Sequence, residues 1–173
     1  IVVVGMNQMG TAFGMQAALI AHYPNFLRDH NLRTTITFID DKGQIEGDYL
    51  KGRFASLFDL CRHRTIICGK NELVYDKENV DEGYIDPMEE GGRYHHLGEN
   101  FMDIQWQFIQ GDISSDEIKQ YLTDLSEDHN QITTIAICFN HPQQSIAAAL
   151  YLPGKIFRNA HQILVYQLNS FDL

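Results

Sequence analysis

The chain has 173 residues, of which 44% are hydrophobic and 21% charged, a balance typical of one folded domain over residues 1–173. Its formal charge of −10 opposes contact with a phosphate backbone, so we exclude nucleic acid as a partner. No apolar run reaches the ~20 residues of a membrane span, and the three cysteines form no CxxC pair. We therefore expect a cytoplasmic domain, and the start on a β-branched run predicts a fragment of a longer polypeptide.

The first part of the chain alternates between β-branched runs and helical periodicity. Residues 1–4 form an uninterrupted β-branched run, as in strands buried on both faces of a parallel sheet. Residues 11–22 then place their apolar side chains on one helical face, and residues 34–39 form a second β-branched run. The pattern next predicts a helix over residues 49–60 and a short strand over residues 65–68.

The second part begins with an aperiodic stretch at about residues 69–100, which predicts an inserted loop or small hairpin. Beyond it the predicted elements are a strand at 104–109, a helix with a capping box from Ser114 to Glu117, a strand at 132–139, a helix from Pro142 and a strand at 162–168. This alternation predicts an α/β fold, a doubly wound, Rossmann-type three-layer sandwich with a mainly parallel sheet and an inserted irregular segment.

The turn after the first strand contains glycines at two of the three positions of the pattern G-x-G-x-x-G. Gly5 and Gly10 are the first and third, and Asn7, a residue that tolerates positive φ, takes the second. A pyrophosphate binds where free N–H groups and the positive end of a helix dipole meet its charge. The predicted phosphate-binding residues are Gly5, Met6, Asn7, Gln8, Met9 and Gly10. The alternative is a tight strand-to-helix turn that binds nothing.

Polar residues also follow the later strands. Asp40, with Asp41 beside it, ends the second strand, where an acid accepts hydrogen bonds from a ribose diol and repels a 2′-phosphate. This favours NAD(H) or an adenosine nucleotide over NADP(H). Asp112, followed by Ile113, would approach the adenosine end, and Asn140 and His141 the nicotinamide ribose or the phosphates. The alternatives are exposed loop acids for the first pair and helix caps for the others.

Four segments in order resemble the TrkA-N or RCK-type (regulator of potassium conductance) nucleotide-binding domains. They are VVVGMNQMG, ITFIDD, FIQGDISSDEI and ITTIAICFNHPQQSIAAAL, and the resemblance covers about residues 1–41 and 104–168. It implies a regulatory domain rather than an enzyme, binding NAD(H) or an adenine nucleotide such as AMP or ATP. It also implies a homo-oligomer, as a dimer, that passes the state of its ligand to a potassium channel or transporter in a membrane.

Two other functions remain open from the sequence. The chain can be the cofactor-binding half of an NAD-dependent oxidoreductase, for which His141 is the only plausible proton donor. It can also be a Rossmann-like scaffold that has lost its ligand and serves as an interaction module. His95 and His96 match no zinc spacing, so we predict a solvated loop there and no metal.

Overall fold

Six parallel strands form one sheet in the computed structural model, which describes residues 1–69, 83–87 and 102–167. The strands are β1 (Val2–Val4), β2 (Thr34–Asp40), β3 (Arg62–Ile67), β4 (Ile104–Gln110), β5 (Thr134–Ile137) and β6 (Gln162–Val165). The helices are α1 (Gln8–Ile20), a 3-10 turn (Pro24–Leu27), α2 (Gly43–Arg53), α3 (Ala55–Phe58), α4 (Asp116–Glu127), α5 (Pro142–Leu150) and α6 (Gly154–Asn159). Within these ranges, no helix combines the length and the apolar character needed to cross a membrane.

The side chains of the central strands alternate between two buried layers, because successive residues of a strand point to opposite faces. Val3 and its neighbours on β2 and β4 pack against α1, α2 and α3. Val2 and Val4 pack on the other face against α4, α5 and α6. The predicted doubly wound, three-layer α/β fold is thereby confirmed.

The strand order is β3-β4-β2-β1-β5-β6. β4 pairs with β2 along its full length, from Thr34 opposite Ile104 to Asp40 opposite Gln110, and β3 lies outside it at the edge. The chain therefore leaves β2, skips one place to form β3, and returns to place β4 in the gap. The usual doubly wound order has its third strand next to the second, so β4 occupies that place and β3 is an additional edge strand.

The helix predicted at residues 49–60 is two helices, α2 and α3, separated at Phe54. α2 begins earlier than predicted because its buried face consists of Gly43, Gly47 and Leu50. These residues have helical spacing, but two of them are glycines, which carry no apolar side chain for a periodicity argument to detect. The boundary was wrong for that reason, although the helical prediction itself holds for most of the segment.

The predicted capping box at Ser114 is also wrong by one residue. The cap of α4 is Ser115, whose Oγ accepts the N–H of Ile118 at 3.3 Å. Ser114 instead donates its own N–H to Oδ1 of Asp112 at 2.8 Å. This hydrogen bond places Ser114 in a turn that begins at Asp112, so the following residue, Ser115, takes the cap position.

Part of the predicted insertion pairs with the edge of the sheet. Ile85 forms an antiparallel bridge with His63 of β3, with N···O distances of 2.9 and 3.1 Å in the two directions. The Tyr84 ring lies under the guanidinium groups of Arg62 and Arg64. Residues 83–87 thus cover part of β3, whereas the rest of the predicted insertion, at 70–82 and 88–100, lies outside the described residues.

Candidate functional site

A groove of about 860 Å³ opens at the carboxyl edge of the sheet. Val4 of β1 and Ile39 of β2 lie at its base, and the segments that follow β1, β2, β4 and β5 form its walls. β1 stands between β2 and β5, so the chain leaves β1 toward one side of the sheet and later crosses to the other. Open α/β sheets bind ligands at such a reversal of strand order, and the volume suits a small organic ligand.

The groove collects most of the residues that the sequence proposed for the site. Those that line it are Gly5, Met6, Asn7, Asp40, Asp41, Asp112, Ile113, Asn140 and His141. The remaining three, Gln8, Met9 and Gly10, form the first turn of α1 and do not line it. The fold therefore brings together residues from four separate parts of the sequence.

One wall of the groove was missed by the sequence reasoning. It is a face of α5 with helical spacing, made of Gln144, Ala147, Ala148 and Tyr151, the last being the C-cap residue. Lys119 of α4 and Lys42 after β2 were missed as well. The i, i+3, i+4, i+7 spacing of the α5 residues was visible, but small and polar side chains give no hydrophobic signal.

The glycine turn is shaped by close contacts within the protein. Gly5 has φ +94°, and a Cβ there would lie far inside van der Waals contact with the carbonyl oxygen of Cys138. A Cβ at Gly10 would overlap the carbonyl oxygen of Gly5 in the same way. Both glycines are required by the packing of the turn itself, whether or not a ligand binds.

Asn7 acts as the N-cap of α1. Its φ of −69° and ψ of 180° are extended, so the predicted tolerance for positive φ is not used. Its Oδ1 accepts the N–H of Gly10 at 2.8 Å, and Thr11 starts the helical bonding by donating to the Asn7 carbonyl. Within the described residues, no acceptor is found for the N–H groups of Gln8 and Met9, which are the orphan donors of this helix end.

Asp40 links the end of β2 to the glycine turn. Its Oδ2 accepts the N–H of Met6 at 2.8 Å, and its Oδ1 accepts the N–H of Lys42 at 2.9 Å. Asp41 is exposed and lies beside it in the groove lining. A hydrogen bond with Asp40, aided by partial burial and the negative charge of Asp40, raises the pKa of the Asp41 carboxyl.

The groove lining is rich in acidic residues. Asp40, Asp41, Glu46 and Asp112 face two lysines, Lys42 and Lys119. Hydrogen bonds from the backbone N–H and hydroxyl of Ser114 lower the pKa of Asp112, so this carboxyl is ionised at neutral pH. Such a lining attracts hydroxyl donors and repels ligands with many phosphate charges.

His141 occupies the N-cap position of α5, directly before Pro142, and is one of the two residues, with Asn140, that the sequence offered as the cap. Its side chain makes no capping hydrogen bond. The hydroxyl of buried Ser145 instead accepts the N–H of Phe139 at 3.0 Å and holds the end of β5 to the helix. Asn140 and His141 both line the groove.

No cluster of three or more potential metal-ligating side chains occurs within residues 1–69, 83–87 and 102–167. His95 and His96, the pair weighed as metal ligands from the sequence, lie outside these ranges.

Comparison with protein-family models, with curated proteins and with solved structures finds no significant match to this chain. The resemblance to TrkA-N or RCK-type domains thus depends on the four sequence segments. The candidate site depends on the groove that the fold builds from their strand ends.

Proposed function

We propose that this chain is a regulatory domain that binds NAD(H) or an adenine nucleotide in the groove at the carboxyl edge of the sheet. The observation that supports this most strongly is that the groove joins the glycine turn, the acids after β2 and the ends of β4 and β5. These are the parts that a doubly wound sheet uses for a dinucleotide. The resemblance extends the proposal to the control of potassium or other cation transport.

The ligand would span the reversal point of the sheet. Its phosphates would lie at the turn before α1, near Asn7 and the positive end of the helix dipole. Its adenosine ribose would reach the acids after β2, and its base would lie beside Asp112 and Ile113. A second ribose and base, in a dinucleotide, would extend toward His141 and the α5 wall.

The charges of the groove favour NAD(H) or AMP over NADPH and ATP. Four acidic side chains and two lysines line it, so each further phosphate meets a net negative wall. A ribose diol, by contrast, offers hydrogen-bond donors that carboxylates accept.

Isothermal titration of the chain with NAD⁺, NADH, NADPH, AMP and ATP tests this site. Ala147→Trp would fill the groove from the α5 wall, where Ala147 is exposed and tolerates a larger side chain. Leu150→Trp is the matched control, since Leu150 is 75% exposed on the same helix and does not line the groove. We expect at least a tenfold loss of affinity for Ala147→Trp and wild-type affinity for the control. Absence of binding at millimolar ligand, or equal losses in both variants, would contradict the proposal.

The proposed regulation requires that the nucleotide bind one conformation of the chain better than another. The coupling free energy is typically about 1–3 kcal/mol. We expect the nucleotide to change either the dimerisation equilibrium or the pattern of amide hydrogen exchange away from the groove. Light scattering and hydrogen exchange with and without ligand measure both quantities. A ligand that binds tightly and changes neither would leave a binding domain without regulation.

The position of His141 supports a second candidate, the cofactor half of an oxidoreductase. His141 lines the groove and its side chain makes no capping hydrogen bond. In this candidate its imidazole would exchange a proton with a substrate beside a nicotinamide. This candidate predicts NADH oxidation with a carbonyl substrate that His141→Ala abolishes. A His141→Ala variant with unchanged NADH affinity and no difference in oxidation rate would exclude it.

A further inference from the structure

Residues 83–87 are attached to the edge of the sheet through the ring of Tyr84 and the backbone of Ile85. The guanidinium carbons of Arg64 and Arg62 lie 4.3 and 5.2 Å from the centre of the Tyr84 ring, within the range of a cation–π contact. Ile85 bridges to β3 through its backbone, and its side chain is 47% exposed. Successive residues of an extended segment point to opposite sides. Tyr84 therefore contacts the arginine side chains of β3, whereas Ile85 contributes its backbone.

Gln107 of β4 joins this contact to α4. Its Oε1 accepts Nε and Nη2 of Arg64 at 2.8 and 2.6 Å and the Tyr84 hydroxyl at 3.4 Å. Its Nε2 donates to the Tyr121 hydroxyl at 3.0 Å. A guanidinium donates and never accepts, so Arg64 fixes the oxygen of the amide toward the edge of the sheet and the nitrogen toward α4. Because Gln107 is buried, water cannot easily replace a lost partner at either end.

The helix α4 belongs both to this network and to the wall of the groove. Lys119 lines the groove, as do residues 112–114, which lead into the helix. Tyr121, two residues beyond Lys119, is buried against the sheet. None of residues 83–87 lines the groove. A ligand in the groove can therefore affect this segment only through the protein, and a change in the position of α4 would alter the bond between Tyr121 and Gln107.

We infer that a nucleotide in the groove and the docking of residues 83–87 on β3 stabilise each other, with the Gln107 amide as the link between them. The inference rests on the proposed nucleotide-binding function and names the segment that responds to the ligand. While Tyr84 holds Arg64, the amide presents its donor to Tyr121. When Tyr84 leaves, Arg64 no longer fixes the amide, and α4 loses a bond that keeps it against the sheet. Such coupling is reciprocal, so the ligand stabilises the docked segment by the same factor by which docking raises the affinity.

The first measurement is the amide hydrogen exchange of Ile85 by NMR, with and without saturating NADH or AMP. This N–H donates to the His63 carbonyl at 2.9 Å, so its exchange rate reports the release of the segment from β3. We expect the nucleotide to slow this exchange at least fivefold. The N–H of His161, bonded to the Thr133 carbonyl outside the network, should exchange at an unchanged rate. Tyr121→Phe removes the acceptor of the Gln107 amide and should abolish the slowing at saturating ligand.

Titration of Tyr84→Ala and Ile85→Ala supplies the reciprocal measurement. Tyr84→Ala removes the ring from Arg64, and its affinity should fall by the factor, within twofold, by which the nucleotide slows exchange at Ile85. Ile85→Ala is the matched control, since it keeps the backbone bridge of the same segment and should stay within twofold of wild type.

Three results would overturn the inference while leaving nucleotide binding intact. The first is binding by the wild-type chain without selective slowing at Ile85, including equal slowing at Ile85 and His161. The second is slowing that persists in Tyr121→Phe, and the third is an equal loss of affinity in the two alanine variants. Failure of the wild-type chain to bind either NADH or AMP would overturn both the inference and the proposed function.

Discussion

The two faces of the sheet hold their helices by different means. On the face covered by α1 and α2, the helices carry glycine where they meet the large rings of the sheet. A Cβ at Gly14 would overlap the ring of Phe38, and a Cβ at Gly47 would lie 2.8 Å from the ring of Phe108. The missing side chains let both helices approach the aromatic layer closely.

The face covered by α4 relies on aliphatic packing and a buried polar network. Gln107, only 1% exposed, accepts from Arg64 Nε at 2.8 Å and donates to the Tyr121 hydroxyl at 3.0 Å. Here the spacing of helix and sheet depends on hydrogen bonds that must be satisfied once buried. On one face, the distance between helices and sheet depends on glycines that carry no side chain. On the other face, it depends on buried polar groups that require hydrogen-bond partners.

The largest effect is expected for Gly14→Ala on the aromatic face. The new methyl group would overlap the fully buried Phe38 ring, and overpacking of this kind typically costs about 1–3 kcal/mol of unfolding free energy. Urea denaturation measures the loss. Because α1 carries the glycine turn at its start, a shifted helix should also weaken nucleotide binding.

Gly52→Ala is the matched control for that substitution. Gly52 lies in α2 with nothing within 4 Å of an added Cβ, so alanine should raise stability by about 0.5–1 kcal/mol through helix propensity. Opposite signs for the two variants would support the role of close approach at Gly14. Equal destabilisation by both would show that the aromatic face does not depend on its glycines.

On the opposite face, Tyr121→Phe should cost about 1–2 kcal/mol, because it leaves the Nε2 donor of buried Gln107 without its acceptor. Thermal unfolding monitored by circular dichroism measures the effect. Tyr151→Phe serves as the control, since Tyr151 is 78% exposed and its variant should stay within about 0.5 kcal/mol of wild type. A loss of stability in the control as large as that in Tyr121→Phe would show that the loss does not come from the buried polar network.

The smallest effect is expected at the carboxyl edge that both faces share, from the charge of Asp112. Hydrogen bonds from Ser114 lower the folded-state pKa of this acid below its value in the unfolded chain, which is about 3.9. Its charge therefore stabilises the fold above that pH, and the stabilisation disappears as pH falls through the lowered folded value. Since Asp112 is exposed, solvent screening limits the effect to less than about 0.5 kcal/mol.

Asp112→Asn tests this effect, because the amide oxygen keeps an acceptor for the Ser114 N–H while the negative charge is removed. The stability difference from wild type, measured by urea denaturation, should be present at neutral pH and decrease as the pH falls below the unfolded-state pKa of about 3.9. A stability difference that grows on acidification would contradict a lowered folded-state pKa for Asp112.

The sequence predicted those parts of the fold that have a local signature. The β-branched runs at residues 1–4 and 34–39 identified β1 and β2, and Pro142 marked the first residue of α5. The predicted start of α2 was wrong, because the glycines on its buried face add no apolar side chain to a hydrophobic pattern. It was wrong at Ser114, because the bond from Ser114 to Asp112 shifts the cap by one residue.

The candidate site shows the same division. Gly5 and Asp40 were identified from their positions after strands, and both lie in the groove. Their structural roles were not visible, since Gly5 is fixed by the Cys138 carbonyl and Asp40 by the Met6 N–H, both distant in sequence. A pattern of neighbouring residues carries no information on such partners.

The sequence by itself predicted the order of the six strands and of four helical segments between them, the glycine turn and the acids at the strand ends. Only the tertiary structure decided that β4 lies between β2 and β3, that a face of α5 forms one wall of the groove, and that Asp40 and Asp41 differ in their surroundings. Hydrophobic periodicity is a local property. Strand neighbours and long-range hydrogen bonds are instead chosen by the packing of the whole chain.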